Sequence, residues 1–269
     1  MTVQVSNAVP ERRELDIGRV LGQSFSLLGN KLPRYFLLSA LPGLPALLAA
    51  IFSSQVSRFQ SSANPFAGLI PTSPGGGAAA AIFIVLMIFA LIVVFVVVFT
   101  AIYVAMIYGV FQDLRGQEFR LDDGLGRGLS RFWPLVGLSI CAGLGMIFGF
   151  ILLIVPGLIL LTMWWVAVPA CVLDRTGPIR SLERSGDLTR GNRWRIFAVI
   201  LVIGIVSKVV GAILSVPVLL GLPIVAAVLS YIWGTLTTAY HLIATVVAYY
   251  ELRVAREGID ANSIASVFD

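Results

Sequence analysis

Apolar residues in this chain gather into six blocks, separated by polar segments in which apolar positions recur every three or four residues. The blocks run roughly from Tyr35 to Phe52, Ala79 to Phe111, Pro134 to Ile154, Gly157 to Leu173, Trp194 to Val216 and Pro223 to Tyr250. A helix crossing a bilayer needs about 20 mainly apolar residues, so the pattern predicts an all-α, polytopic protein with six transmembrane helices. At about 1.5 Å per residue the second block extends about 50 Å. It and the sixth exceed the hydrocarbon thickness, and should tilt or run on as helix beyond it.

Three of the polar segments predict amphipathic helices lying in the membrane interface. Leu15, Val20, Leu21, Phe25 and Leu28 alternate with polar positions in the first, Leu121, Leu125, Leu129 and Phe132 in the second, and Ile179, Leu182 and Leu188 in the third. When the first segment is laid over the third in one register, Leu21, Ser24, Leu27, Arg34 and Phe36 fall on Leu182, Ser185, Leu188, Arg195 and Phe197, all identical. The segment from Asp122 to Trp133 matches only in kind. Together they suggest a threefold repeat of interfacial helix plus membrane hairpin, with units at about 14–111, 121–174 and 178–257 in a single domain over 1–269. The Ser/Gly/Pro-rich stretch at about 53–77 reads as a mobile outer loop.

Charge gives this layout a direction. There are 19 basic and 14 acidic residues and a formal net charge of +5. All basic residues except Arg58 and Lys208 precede the first block, separate the second from the third or the fourth from the fifth, or follow the sixth. Positive residues collect on the cytoplasmic side, so both termini are expected there. The opening stretch, MTVQVSNAVPERRELDIGR, is polar where a signal peptide would place its apolar region, so insertion is expected to rely on the spans.

Composition narrows the function. Hydrophobic residues make up 58% and charged residues 12% of the chain, against roughly 25% charged in a soluble domain. No soluble stretch is long enough for its own catalytic core, and a nucleic-acid role is not expected. One histidine and two isolated cysteines, Cys141 and Cys171, cannot supply a zinc site, and no GxxxxGK[ST] loop or GxSxG elbow is present. The string LDDGLGRGL at Leu121 to Leu129 lacks the further aspartates that metal-dependent headgroup transfer requires.

Within the spans, Gly137, Gly145 and Gly149, then Gly211, then Gly234 lie in stripes of small residues that permit close helix contact, within the chain or between copies. Pro42, Pro45 and Pro169 should kink their helices. Lys208 is the one ionisable residue deep in a span apart from His241. A transporter of lipid or small amphiphile, the alternative to a non-catalytic role, would need a polar cavity lined by these two.

One segment carries a resemblance. Pro156 and Gly157 open a span, Trp164 and Trp165 lie within it, and Pro169 and Ala170 lie near its end. Asp174, Ser181, Leu182, Arg184, Ser185, Leu188, Thr189, Gly191 and Trp194 follow. Over residues 154–200 the chain resembles the membrane-domain family named after bacterial glycerophosphoryl diester phosphodiesterases, and its free-standing relatives. In the fused relatives the chemistry resides in a separate soluble domain, which has no counterpart here. The resemblance implies a polytopic module, mostly of unassigned role, and gives no licence to expect an enzyme; with the composition it leads to the expectation of a non-catalytic bacterial inner-membrane protein without cofactor or metal.

The basic elbows remain as candidate chemistry. Arg180, Arg184, Arg190, Arg193 and Arg195, with Arg34, would stand beside an anionic leaflet that attracts each by about 1 kcal/mol, and arginine forks onto phosphate oxygens. Topology determination explains the same arginines. The expected partners are membrane phospholipids, with a membrane protein or a second copy of the chain as further possibilities.

Overall fold

A computed structural model describes residues 15–45, 47, 48, 51, 77–117, 126 and 130–257. Among them there are helices and turns and no strands. In chain order the helices are α1 (Ile17–Asn30), α2 (Leu32–Ala40), α3 (Gly77–Leu114), α4 (Phe132–Leu152), α5 (Ile154–Met163), α6 (Ala167–Leu173), α7 (Pro178–Thr189), α8 (Arg193–Leu214), α9 (Val216–Leu219) and α10 (Pro223–Glu257). A 3₁₀ turn, Leu41–Gly43, follows α2 and contains Pro42.

Five segments are long and apolar enough to cross a membrane: Ile82–Leu114, Phe132–Leu152, Ile154–Leu173, Arg193–Leu219 and Pro223–Glu257. The first expected span, from Tyr35 to Phe52, falls partly outside the described residues, as do the middle amphipathic segment and most of the outer loop. The second and sixth blocks do run on as single helices, of 38 and 35 residues.

Two boundaries differ from the sequence pattern. The third and fourth blocks are separated not at Val155–Pro156 but by the single extended residue Leu153 (φ −169°). Pro156 instead occupies the first turn of α5, where its missing N–H costs nothing. The fourth block is also interrupted at Trp164–Val166, and Pro169 lies in the first turn of the restarted helix α6.

The core sits at the charged end of the bundle. Nearly every side chain of α3 from Ile82 to Phe99 is exposed, whereas Val104, Ala105, Met106, Ile107 and Val110 are buried. α10 is likewise buried without interruption from Leu242 to Tyr249. A helix enclosed on all sides must be apolar all round, and these two are, because α1, α2, α6 and α7 wrap them. The amphipathic helices α1 and α7 thus pack as part of the core, burying Val20, Ser24 and Leu28, and Ser181, Ser185, Leu188 and Thr189.

Glycine sets the closeness of the α4–α5 hairpin. A Cβ on Gly145 would run into the Trp164 ring, and one on Gly149 would lie 2.7 Å from Leu160 and 3.2 Å from the Gly157 Cα. Near the start of α4, a Cβ on Gly137 would lie 2.9 Å from Pro178, so this glycine lets α4 approach α7. Gly211 is in ordinary contact distance of Trp233, while Gly234 faces open space.

Candidate functional site

The candidate site is the elbow between α6 and α7 with its surroundings. Pro178 begins α7 at a position pre-organised for it. Ahead of it, the Thr176 and Ser181 hydroxyls lie 2.7 Å apart, and Ser181 donates to the Gly177 carbonyl at 2.7 Å. The small buried face of α7 then lies against the break in the fourth block. A break in a helix frees backbone polar groups that need partners when buried, and here α7 supplies them. Ser185 Oγ donates to the Met163 carbonyl at 2.7 Å, and Thr189 Oγ1 reaches the same oxygen at 3.4 Å. Gly191, at φ +90°, turns the chain from α7 into α8 in a conformation that favours glycine.

Asp174 is the electrostatic centre of the elbow. It accepts from Tyr249 Oη at 2.6 Å and from Arg184 Nε at 3.2 Å, and pairs with Arg253 Nη1 at 3.3 Å. Glu257 extends the cluster by accepting from Arg253 Nε at 2.8 Å and from Arg184 Nη2. Burial disfavours the charge of Arg184, but its hydrogen bonds to Glu257 and Asp174 outweigh that and hold the guanidinium above its ordinary pKa.

A second carboxylate repeats the arrangement. Asp113, at the end of α3, has a side chain only 1% exposed. It accepts from Tyr35 Oη and from Lys31 Nζ at 2.8 Å, with Arg34 Nη1 at 3.7 Å. Near the end of α10, Glu251 pairs with Arg19 of α1 at 3.5 Å. Each acid thus stands near the charged end of a long apolar segment and binds one of the basic helices to it. α1 is fixed further by the Asn192 side chain, which accepts from Leu15 N at 3.1 Å. Arg195 Nη1 and Tyr240 Oη donate to the Leu15 and Leu21 carbonyls.

The arginines grouped by sequence therefore divide. Arg34 and Arg184 lie in internal ion pairs, and Arg195 donates to backbone. Arg180 and Arg190 are exposed, and Arg193 is half-buried in the first turn of α8. The Arg190 carbonyl accepts from Arg256. Lys208 is exposed on α8, and His241 is exposed on α10 with its ring edge-on to Trp165 at 6.2 Å. Neither lines the cavity of about 340 Å³ that lies between α2, α3 and α10. Asp113, Tyr35 and Tyr249 are the residues that counting basic side chains passes over. Their signal was Asp113 itself, the first charged residue after Arg58 and placed directly at the end of an apolar block.

Among the described residues, the fold and site define an all-helical arrangement with five segments long and apolar enough to cross a membrane and acid-centred clusters at its charged end. Residues 128–252, slightly under half of the chain, match the family described as Domain of unknown function (DUF7847). No curated protein and no solved structure matches the chain.

Proposed function

We propose that the protein is a non-catalytic module of the bacterial inner membrane that engages anionic phospholipid through its basic interfacial segments. The observation that carries this reading is a pairing of exposed apolar and exposed basic residues around α7. Ile179 and Trp194, 65% and 84% exposed, flank Arg180 and Arg190, which are exposed as well. Apolar side chains entering the acyl boundary beside arginines that reach phosphates are what an interfacial segment offers a bilayer. Arg184 and Arg34 are already neutralised by acids, so the headgroup-facing set narrows to Arg180, Arg190 and Arg193.

The test is lipid selectivity. Native mass spectrometry of the protein in neutral detergent should show phosphatidylglycerol retained over phosphatidylcholine, and Arg180→Gln/Arg190→Gln/Arg193→Gln should abolish the preference. An unchanged preference in the triple variant would sink the proposal.

The same reading includes six spans, the first from Tyr35 to Phe52, and the threefold repeat, as in a free-standing relative of the phosphodiesterase membrane-domain family. The register that matches the first and third polar segments also relates the starts of α1 and α7 (Ile17, Pro178) and of α2 and α8 (Leu32, Arg193). It relates three buried pairs as well, Val20 and Ser181, Ser24 and Ser185, and Leu28 and Thr189. Both termini are proposed to be cytoplasmic. A reporter active only outside the cytoplasm should work when inserted near Gly76 and fail at Asp269.

A further inference from the structure

We propose that the cavity between α2, α3 and α10 holds an acyl chain of a membrane lipid, independently of the headgroup contacts proposed above. Six residues define it for this purpose: Ser39, Gly43, Phe99, Tyr231, Gly234 and Thr238. The volume of about 340 Å³ corresponds to roughly ten waters at about 30 Å³ each. The cavity is a groove and not an enclosed void, since Phe99, Gly234 and Thr238 in its wall are exposed.

Of the five hydroxyls in the wall, three donate to backbone, those of Ser39, Tyr231 and Thr238. Ser39 Oγ donates to the Tyr35 carbonyl at 2.7 Å, with the Thr235 carbonyl at 3.2 Å. Tyr231 Oη donates to the Ala40 carbonyl at 2.7 Å, and Thr238 Oγ1 to the Gly234 carbonyl at 2.8 Å. Their hydrogens are thus spent on backbone, and among the described residues no carboxylate, lysine, arginine or histidine lines the space. An uncharged, flexible apolar occupant fits this chemistry, whereas a headgroup does not.

Position names the source. The cavity's contacts on α3, from Phe99 to Met106, lie about two to four helical turns from Asp113 at the charged end. Phe99, 40% exposed, ends the exposed apolar stretch that begins at Ile82. The cavity therefore opens beside a surface whose only suitable solvent is acyl chain. Gly234 keeps it open, since no atom lies within 4 Å of where its Cβ would be.

The experiment uses the full chain, delipidated stepwise in detergent and weighed by native mass spectrometry. The wild type should keep one phospholipid to the last step. Gly234→Leu, which fills the space, should lower its occupancy about tenfold, equal to roughly 1.4 kcal/mol of binding. Thr238→Leu is the second variant if Gly234→Leu does not yield monodisperse protein. Gly204→Leu, at an open position on α8 away from the cavity, should retain the lipid. Equal retention in the filled variants would overturn the proposal, as would a wild type that keeps no lipid. Loss of the same lipid in Arg180→Gln/Arg190→Gln would overturn it too, by assigning that lipid to the basic elbow. With a benzophenone amino acid replacing Phe99, adducts should carry lipid mass; cross-links to residues 46–76 in their place would show that the chain fills its own cavity.

Discussion

The Tyr249 hydroxyl donates to Asp174 at 2.6 Å and so joins the end of α10 to the elbow between α6 and α7. Two arginines from different helices, Arg184 and Arg253, converge on the same carboxylate. Hydrogen bonds to a charged group contribute about 1.5–3 kcal/mol, so Tyr249→Phe should lower stability by that order. Its neighbour Tyr250 packs edge-on against Phe111, and Tyr250→Phe should cost less. Apparent melting temperatures in detergent decide this, and equal shifts for both variants would remove Asp174 from its central place.

Asp113 should show an asymmetry. Asp113→Asn leaves Lys31, whose side chain is 44% exposed, free to turn toward water. It should cost only about 1–3 kcal/mol. Lys31→Ala/Arg34→Ala strands a buried carboxylate and should cost about 3–5 kcal/mol. Adding Asp113→Asn to that pair should recover part of the loss, as read from thermal unfolding; a further loss in the triple variant would contradict the ion-pair account.

The break at Trp164–Val166 depends on α7. Ser185→Ala removes the donor from the Met163 carbonyl, and Thr189→Val removes the more distant hydroxyl, whose nearer acceptor is the Ser185 carbonyl at 2.9 Å. The double variant should destabilise by about 1–3 kcal/mol because that oxygen is left without its side-chain partners. Hydrogen exchange at Trp164 to Ala167 should rise in the same variant, and unaltered exchange there would show that the break holds itself.

Gly145 and Gly143 form a matched comparison on α4. A methyl at Gly145 meets the Trp164 ring, so Gly145→Ala should cost about 1–3 kcal/mol by overpacking. A methyl at Gly143 meets nothing within 4 Å, and Gly143→Ala should be neutral or stabilise by up to about 1 kcal/mol through helix propensity. Melting temperatures that move together would show that the α4–α5 contact is looser than the distances indicate.

Much of the fold is legible in the chain because bilayer-crossing helices are a local property. A long enough apolar run names a span without reference to anything else. The starts of α3 and α10 could be read closely in this way, and helical spacing likewise placed α1 and α7. The count of six spans and the repeat rest partly on segments outside the described residues, and stand as part of the proposed reading.

What sequence alone determined is thus the set of apolar blocks, the amphipathic elbows and the gathering of positive charge at one side. Only the tertiary structure decided which charges are spent inside the protein. Tyr35 and Asp113 are 78 positions apart, and Tyr249 and Asp174 are 75 apart. No local pattern links such residues; packing brings them together. The same holds for the carbonyl of Met163, which is freed by a break that hydropathy does not register and is satisfied by Ser185, 22 positions further on. Hydropathy and period act along the chain, whereas hydrogen bonds and ion pairs act through space, so the division of the arginines between internal partners and the exposed surface emerges only once the helices have packed.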